Sequence, residues 1–438
     1  MATLFDDASL VMIPSGTKDG KLYSIKPTDG SGDFTFSRDG AGASPATRVN
    51  SDGFVESGVT NYLLQSNDFD TTWTTFNANV TSGQADKDGG TDAWLLAKSG
   101  ASGTIRQPSL SVSGVKSFSI YAKEGTEQGV LLSTNLSNTE AKLNLNTGAL
   151  IAAQSGIIDT QIESAGNGFY RFTIVVDGSI TQVNVFVTDS SGSTSGSSGN
   201  IVIQNAMLND GLVAEDYIAT TTTEGYGGLL GDEPRLDYSG GATCPSLLLE
   251  KSSTNIVAHS QLINPTLASS VWTQVGTNTF TTNYGTAPDG EQTSTRVQFG
   301  TATSSSQLFA SFNSSATVYT GSVYIKGTGT LKFGFFDNTN VLTDTITLTG
   351  DWERFEVTKT LLATTNARFW IYPEGAGATQ DFEIWGAQCE EGRYATSLIP
   401  TYGSTVTRAA DNPAPVVNAR SEERRVGKEC RSRWVPYH

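Results

Sequence analysis

The chain has 438 residues and a formal net charge of −16 at neutral pH. An acidic chain without a basic patch lacks the electrostatic footprint of nucleic-acid binding, and the same charge disfavours anionic membrane surfaces. No apolar run approaches the ~20 residues that span a bilayer, so we expect no nucleic-acid partner, no membrane insertion and no secretory leader.

Charged residues make up only 16% of the chain, and 46 glycines accompany 20 Phe, 14 Tyr and 7 Trp. Such a composition is typical of short strands joined by many turns around aromatic cores. Cys244, Cys389 and Cys430 are far apart and lack metal or redox spacing, so we expect free thiols, the first two of them buried.

Residues 1–60 predict a small N-terminal β segment. Residues 33–38 alternate apolar and polar side chains, which is the period of a half-buried strand. Residues 47–56 predict a hairpin whose turn is Asn50-Ser51-Asp52-Gly53, because these residue types favour turns.

Two long segments repeat the same order of features, and we assign them to residues 61–225 and 254–411. Each follows a Thr-Asn opening with a tryptophan, a strand ending in lysine and an aromatic or acidic residue before Arg-Phe. The corresponding residues are Thr60-Asn61 and Thr254-Asn255, Trp73 and Trp272, Lys123 and Lys326, and Tyr170-Arg171-Phe172 and Glu353-Arg354-Phe355. Eight or nine short strands in each segment predict an antiparallel jelly-roll sandwich with a tryptophan in its core.

Residues 226–253 predict a β connector that pairs with residues 1–60, since the apolar run at residues 247–249 favours burial. The first jelly roll would then be an insertion into a split small domain. The fold class we predict is all-β, with two antiparallel jelly-roll sandwiches, a small split β domain and very little helix.

Residues 412–438 predict a disordered tail. From Arg420 onward, six Lys/Arg accompany three Asp/Glu, which is a sharp shift in composition. The stretch 420–438 resembles a translated vector sequence, which would leave the true C-terminus unknown. A basic docking tail is the alternative.

The chain offers few residue types for catalysis. One of its two histidines, His438, lies in the tail, and we place His259 at a domain seam, so Ser-His-Asp and Cys-His chemistry lack a base. Paired carboxylates are the remaining catalytic option. Asp337, Asp344, Asp351 and Glu353 cluster in the sequence, but they are spaced like turn residues. We therefore expect a protein that is not an enzyme.

One loop has the composition of a cation site. Asp86, Asp88 and Asp92 place three carboxylates within seven residues, and calcium takes oxygen ligands from such loops. The terminal bidentate glutamate of a full calcium loop is missing. A structural calcium is thus the one cofactor to consider, and a solvated turn is the alternative.

The strand around residue 370 is the candidate glycan surface. Alternation directs Phe369 and Ile371 inward and places Arg368, Trp370 and Tyr372 on the opposite face, with Lys332 on a neighbouring strand. An exposed ring covers the apolar face of a sugar while polar neighbours bond its hydroxyls. The alternative is that Trp370 packs under a loop. The matching strand of the first repeat, at residues 182–187, lacks the Trp/Tyr pair.

Several segments resemble one group of proteins. They are Ile13-Pro14-Ser15-Gly16, residues 32–38, Pro234-Arg235-Leu236-Asp237-Tyr238, Trp385-Gly386-Ala387-Gln388 and Thr407-Arg408-Ala409-Ala410-Asp411. These segments resemble tailed-phage virion proteins of the tail-fibre or appendage type, whose jelly-roll modules are similar to carbohydrate-binding modules of the galactose-binding-like type. The resemblance covers almost all of residues 1–411.

The resemblance implies a non-enzymatic protein of the virion, made in the host cytoplasm, that adheres to host cell-surface polysaccharide. It implies other virion proteins as partners and a homo-oligomer, with a trimer as one arrangement. Two alternatives stay open: a structural or decoration protein without glycan binding, and a component of a polysaccharide depolymerase.

Overall fold

The computed structural model describes residues 4–18, 20–267, 269–375 and 378–415. Within these ranges the chain forms thirty-two strands, one short helix at Leu4–Asp7 and a 3-10 turn at Ser239–Gly241. The all-β prediction is therefore confirmed. No helix in this part of the chain has the length and apolar character needed to cross a membrane. Cys430, His438 and the vector-like stretch 420–438 lie outside the described residues.

The strands fall into four groups along the chain. The first group is β1 (Val11–Lys18), β2 (Lys21–Lys26), β3 (Phe34–Ser37), β4 (Thr47–Val49) and β5 (Val55–Asn61). The second is β6 (Thr74–Phe76), β7 (Ala78–Gln84), β8 (Ala93–Lys98), β9 (Thr104–Val112), β10 (Val115–Glu124), β11 (Gly129–Thr134), β12 (Ala141–Asn144), β13 (Ala149–Ala153), β14 (Asp159–Ser164), β15 (Phe169–Asp177), β16 (Ile180–Thr188) and β17 (Asn200–Asp210).

The third group is β18 (Gly225–Gly228), β19 (Arg235–Asp237), β20 (Ser246–Leu248) and β21 (Ser253–Asn255). The fourth is β22 (Trp272–Val275), β23 (Thr279–Thr281), β24 (Thr295–Gln298), β25 (Gln307–Ser314), β26 (Val318–Phe336), β27 (Val341–Thr349), β28 (Glu353–Thr360), β29 (Thr364–Tyr372), β30 (Asp381–Glu391), β31 (Val406–Arg408) and β32 (Asn412–Pro415).

The first sandwich consists of two six-stranded antiparallel sheets. Their strand orders are β14-β15-β10-β17-β8-β7 and β13-β12-β11-β16-β9-β6. Alternating apolar residues from both sheets meet between them, and Phe118, Phe172, Leu132 and Val185 are fully buried there. Trp73 is also buried, as predicted.

The second sandwich repeats this order with one long shared strand. Residues 318–327 of β26 pair with β28 and β30, and residues 328–336 pair with β27 and β29. The two halves give the orders β28-β26-β30-β24-β23 and β27-β26-β29-β25-β22. Its core contains Trp272, Phe333, Phe369 and Ile384. Residues 318–336 form one continuous strand because the chain passes through Gly327 and Gly329 without a turn.

The Thr-Asn openings hold equivalent buried asparagines. Asn61 accepts N–H bonds from Leu63 and Leu208 and donates to the carbonyls of Ala206 and Ile218. Asn255 makes the same four bonds, to Val257, Cys389, Ala387 and Ile399. Each asparagine therefore ties the start of its sandwich to the last long strand and to the segment that follows it.

A buried ion network joins the two ends of the chain. Arg38 and Arg235 both bond Asp411, Arg235 also pairs with Glu250 at 2.8 Å, and Arg408 lies 3.3 Å from Glu250. Burial is the largest single influence and opposes ionisation of Asp411, but the hydrogen bonds and positive charge of Arg235, with the Glu250 N–H and Arg38, together keep the pKa of Asp411 below its ordinary value. These are the arginines and the aspartate of the segments that carry the virion resemblance.

The connector between the sandwiches pairs with the N-terminal segment, since β18 forms a sheet with β5 and β4. Strand β32 pairs with β3 and so extends the sheet of β1, β2 and β3.

Two predictions of buried side chains are wrong. Leu249 is 49% exposed, and Cys244 is only partly buried, whereas Cys389 is fully buried. The side chain of Leu249 is exposed because the run continues past the end of β20.

The two sandwiches contact each other directly. The Val115 N–H donates to the Tyr402 carbonyl at 2.7 Å, and the Asn283 amide donates to Asp159 at 2.7 Å. His259 lies at this seam, as expected, with its Nε2 3.3 Å from the Asp177 carboxylate. An apolar cluster that includes Leu212 fills the rest of the contact.

Candidate functional site

The predicted glycan residues do share one face of the second sandwich. In the register of β26 and β29, Lys332 lies opposite Tyr372, and Arg368 lies opposite Phe336. Phe369 and Ile371 point into the core, as the alternation predicted. The structure therefore brings Arg368, Trp370, Tyr372 and Lys332 together.

The aromatic rings on this face are covered and do not form an exposed platform. Trp370 and Tyr372 are only 8% and 4% exposed, with ring centroids 4.4 Å apart. Phe336 packs against Trp370 at 5.7 Å, and the Arg368 guanidinium lies 4.3 Å from the centre of the Phe309 ring. Neighbouring side chains on the sheet thus cover the rings, which leaves little apolar ring face for a sugar.

The Asp86 loop uses its carboxylate to hold its own backbone. Asp86 Oδ1 accepts the N–H groups of Asp88 and Gly90 at 2.8 Å each, and Oδ2 accepts that of Asp92 at 3.1 Å. The Asp88 carboxylate pairs with Lys87. In the part of the chain that the structure describes, no three His, Cys, Asp or Glu side chains are grouped to hold a metal ion. Calcium binding here stays a prediction.

A cavity of about 310 Å³ lies where the two sandwiches and β5 meet. We call it the junction cleft. Its lining includes Glu56, Asp210, Glu215, Asp216, Gln261, Asp289, Glu291, Trp385 and Tyr402. Contributions come from the segment after β17, the loop between β23 and β24, strand β30 and the segment after it.

Two buried hydrogen-bond groups in this lining have no protein partner. Gln261 is 7% exposed, and its side-chain amide bonds no described residue. Trp385 is 1% exposed, and its indole N–H has no acceptor among the described residues. Leaving a buried donor unpaired costs about 1–3 kcal/mol. The Trp385 N–H is sealed within the protein, whereas the Gln261 amide lines the cleft and can bond a ligand or water there.

The carboxylates of the junction cleft differ in how they are neutralised. Lys116 pairs with Asp210 at 2.5 Å, and Arg48 pairs with Glu56 at 2.6 Å. In contrast, Glu215, Asp216, Asp289 and Glu291 form no salt bridge with any described residue. One side of the cleft therefore carries unpaired negative charge.

Burial and mutual repulsion change the acidity of two of these groups. Burial raises the pKa of Glu215 to about 7, with further contributions from Glu291, Asp289 and Asp216. Burial likewise raises the pKa of Asp289 to about 6, although bonds from Thr293 and the Glu291 N–H oppose the shift. Both side chains therefore retain a proton well above the pH at which free carboxyl groups ionise.

Sequence reasoning missed the junction cleft because its residues are far apart in the chain. Glu215, Gln261 and Asp289 belong to three segments that meet only when the sandwiches pack together. Pro288-Asp289-Gly290-Glu291 reads as an ordinary turn, and nothing local distinguishes it. The sequence feature that could have indicated the cleft is the Glu-Asp pair at residues 215–216, because it places two acidic residues in a segment that packs against the sandwich.

Comparisons with known proteins give only distant matches. No protein-family model and no curated protein sequence matches the chain significantly. Among solved structures, the chain is similar to the CBM22-1–CBM22-2 tandem domain of Paenibacillus barcinonensis Xyn10C, with 12% identity, a TM-score of 0.25 and coverage of 76% of this chain and 98% of that one.

Two further similar structures contain enzymes. One is the M60 catalytic domain with CBM51-1 and CBM51-2 of Clostridium perfringens ZmpB, at 10% identity, TM-score 0.21 and coverage of 83% of this chain and 42% of that one. The other is an exo-beta-1,3-galactanase from Phanerochaete chrysosporium with galactose, at 10% identity, TM-score 0.22 and coverage of 86% and 95%. At these scores the matches assign neither family nor activity to this chain.

Proposed function

We propose that this protein is a non-enzymatic glycan-binding component of a phage virion and that it binds sugar in the junction cleft. The observation that carries the choice of site is Gln261, which is 7% exposed, lines the cavity and has no side-chain hydrogen bond to a described residue. The cavity also offers carboxylate acceptors.

The chemistry of the cleft suits a sugar unit. Sugar hydroxyls both donate and accept, so they can bond the carboxylates of Asp216 and Glu291 and also receive a bond from the Gln261 amide. Tyr402 adds an aromatic surface to the lining. A volume of about 310 Å³ lies at the small end of ligand pockets, which range over roughly 300–1,000 Å³, so we expect one or two sugar units inside.

The biological setting rests on the sequence resemblance. A tail fibre or appendage that contacts cell-surface polysaccharide would need only weak individual sites, because several copies in an oligomer raise the avidity by about 10²–10⁴. We therefore propose the virion as the location, other virion proteins as partners and a homo-oligomer as the working form.

A glycan array with the full chain tests the proposal. We expect binding to at least one bacterial surface polysaccharide, and we expect Gln261→Ala to weaken it about tenfold, since it removes one bond to the sugar, whereas Trp385→Phe should leave it unchanged because the indole N–H is sealed within the protein. Gln154→Ala, at an exposed position on the first sandwich, is the matched control. Circular dichroism checks that the Trp385 variant folds.

Two other outcomes would redirect the proposal. Loss of binding with Tyr372→Ala but not with Gln261→Ala would place the site on the outer face of β26 and β29. Binding to no glycan at all would leave the alternative of a structural or decoration protein.

One observation favours a second candidate, a polysaccharide depolymerase. The pKa of Glu215 is about 7, and its carboxyl group lies near those of Asp289 and Glu291. A carboxyl group with a raised pKa beside a second carboxyl group is the arrangement that glycoside hydrolysis uses. Release of reducing ends from a bound polysaccharide, abolished by Glu215→Gln, would support this candidate. Binding without any release contradicts it.

A further inference from the structure

The charge inside the junction cleft is one-sided. Glu215 and Asp216 approach from the segment after β17, and Asp289 and Glu291 approach from the loop between β23 and β24. None of the four forms a salt bridge with a described residue, and no lysine or arginine lines the cleft. Separate parts of the chain therefore direct acidic groups into a space that lacks a protein cation.

The cations nearest to this space are already bound elsewhere. Arg171 donates to the backbone carbonyls of Ala214 and Glu215 and only weakly offsets the charge of the Glu215 carboxyl. Lys116 is paired with Asp210, and the side chain of His259 faces Asp177. None of them supplies the missing counter-charge.

A metal ion does not fit the arrangement. Cations such as calcium need several oxygen ligands within about 2.3–2.6 Å of one point. In the described ranges no group of three or more acidic, His or Cys side chains has the grouping that would hold an ion. Because the carboxylates are spread around a cavity of about 310 Å³ that also contains the unpartnered Gln261 amide, the complement is a larger, hydrogen-bonding organic cation.

We propose that the junction cleft selects a glycan unit with a free amine, that is, an amino sugar that is not N-acetylated. This inference rests on the proposed glycan binding and specifies its substrate class. The sugar ammonium would lie among Glu215, Asp216, Asp289 and Glu291, and a sugar hydroxyl would bond the Gln261 amide. Charge-assisted bonds between ammonium and carboxylate are about twice as strong as neutral ones.

The acidity of the cleft gives this inference a pH signature. Since the pKa values of Asp289 and Glu215 are about 6 and 7, the carboxylates still hold protons at pH 5. A bound ammonium favours their ionised forms, so binding must release protons. The affinity for an amino sugar should therefore rise between pH 5 and pH 7, whereas that for a neutral sugar should not.

Calorimetry with the full chain tests the selectivity. The two probes are a glucosamine tetrasaccharide and the N-acetylglucosamine tetrasaccharide of the same linkage, each titrated at pH 5 and pH 7. We expect the free-amine probe to bind at least tenfold more tightly at pH 7, and we expect this preference to shrink at pH 5. Higher salt should reduce it further.

Variants separate the cleft from the overall negative charge. Glu215→Gln and Asp289→Asn should each weaken binding of the free-amine probe about tenfold, since each removes one charged acceptor. Glu353→Gln and Asp351→Asn remove the same charge at exposed positions on the second sandwich and should leave the affinity unchanged. Equal losses with both pairs would overturn the inference, because they would show only long-range attraction.

The outcomes also distinguish this inference from the function on which it rests. If the chain binds neutral or acetylated sugars as well as it binds the free-amine probe, the amino-sugar selectivity is wrong and glycan binding stands. If it binds no sugar of any kind, both fail. Binding of the free-amine probe that survives Gln261→Ala, Glu215→Gln and Asp289→Asn together would place the site outside the cleft and would also overturn the inference.

Discussion

In the first sandwich, the loop between β7 and β8 carries Asp86 and Asp88, and Lys87 of this loop is hydrogen-bonded to Gln204 and Asn167 of the same sandwich. In the second, the corresponding loop between β23 and β24 carries Asp289 and turns toward the other sandwich. Backbone N–H bonds, led by that of Asp92, lower the pKa of Asp86, whereas burial raises the pKa of Asp289. The same position in a duplicated fold thus acquires opposite acid-base behaviour from its place in the assembly.

Much of the frame, by contrast, is the same in both sandwiches. Arg171 stacks on Tyr121 at 5.5 Å, and Arg354 stacks on Tyr324 at 5.6 Å. Each arginine also donates to a backbone carbonyl in the segment after the last long strand. The recurring Tyr and Arg of the repeats are therefore structural parts. What differs is the ion network around Asp411, which joins the end of the second sandwich to the N-terminal segment and the connector.

The largest expected effect on stability comes from disrupting this ion network. Replacing Arg235 with methionine (Arg235→Met) leaves Asp411 and Glu250 buried without their main partner, so we expect a loss of about 3–5 kcal/mol in the free energy of unfolding. Urea denaturation followed by tryptophan fluorescence measures it. Arg393→Met, at an exposed position without a described ion pair, should change stability by less than about 0.5 kcal/mol. A loss for Arg235→Met as small as that for Arg393→Met would show that the ion network contributes little to stability.

The next prediction tests whether Asn61 and Asn255 contribute equally to the stability of their sandwiches. Asn61→Ala and Asn255→Ala each remove four buried hydrogen bonds, and we expect each to destabilise its own sandwich by about 2–4 kcal/mol. Differential scanning calorimetry of both variants measures the two effects, with the exposed Asn366→Ala as control. A large loss for one asparagine and none for the other would contradict the equivalence.

The third prediction uses the raised pKa of Glu215. The ordinary value for a glutamate is 4.5 and that of Glu215 is about 7, so the folded protein binds more protons than the unfolded chain in this window. Stability therefore falls as the pH rises from about 4.5 to 7. We expect the melting temperature to be about 2–4 °C lower at pH 8 than at pH 5.

The variant Glu215→Gln isolates this contribution. It should remove the larger part of the pH dependence and leave the smaller part that comes from Asp289, whose pKa is raised to about 6, whereas Glu353→Gln should retain the whole dependence. Groups with lowered pKa values, such as Asp86 and Asp411, lose their stabilising effect only on acidification below their ordinary value of 3.8, so they do not contribute between pH 5 and 8. An unchanged slope in Glu215→Gln would assign the pH dependence to other groups.

The sequence predicted what depends on local patterns. Alternation located the buried strands around Phe118, Phe172 and Phe369, and the recurring openings and tryptophans predicted the duplication. Strand β9 was missed because Pro108 interrupts it, since proline seldom lies within a sheet. Strand β7 was missed because it is mostly polar and exposed.

The ligand surface could not be predicted in the same way. Alternation correctly assigned Trp370 to the outer face, but it carries no information on whether Phe309 and Phe336 cover the ring. The junction cleft depends on how the two sandwiches pack, and this packing brings Glu215 to Asp289 across more than seventy residues of sequence. Local patterns indicate which side of a strand a residue occupies, and only the packed structure determines its solvent exposure.

The smallest expected effect returns to the two corresponding loops. Asp86→Asn replaces a charged acceptor of three backbone N–H bonds with a weaker neutral one, so we expect a loss of about 1 kcal/mol. Asp289→Asn removes an unneutralised charge from beside Glu291, so at pH 8 we expect a gain of a few tenths to about 1 kcal/mol. Thermal unfolding of both variants at pH 8 measures the pair. Opposite signs would confirm that assembly, rather than fold, determines the behaviour of this loop, and losses of equal size would show that both aspartates serve only as turn residues.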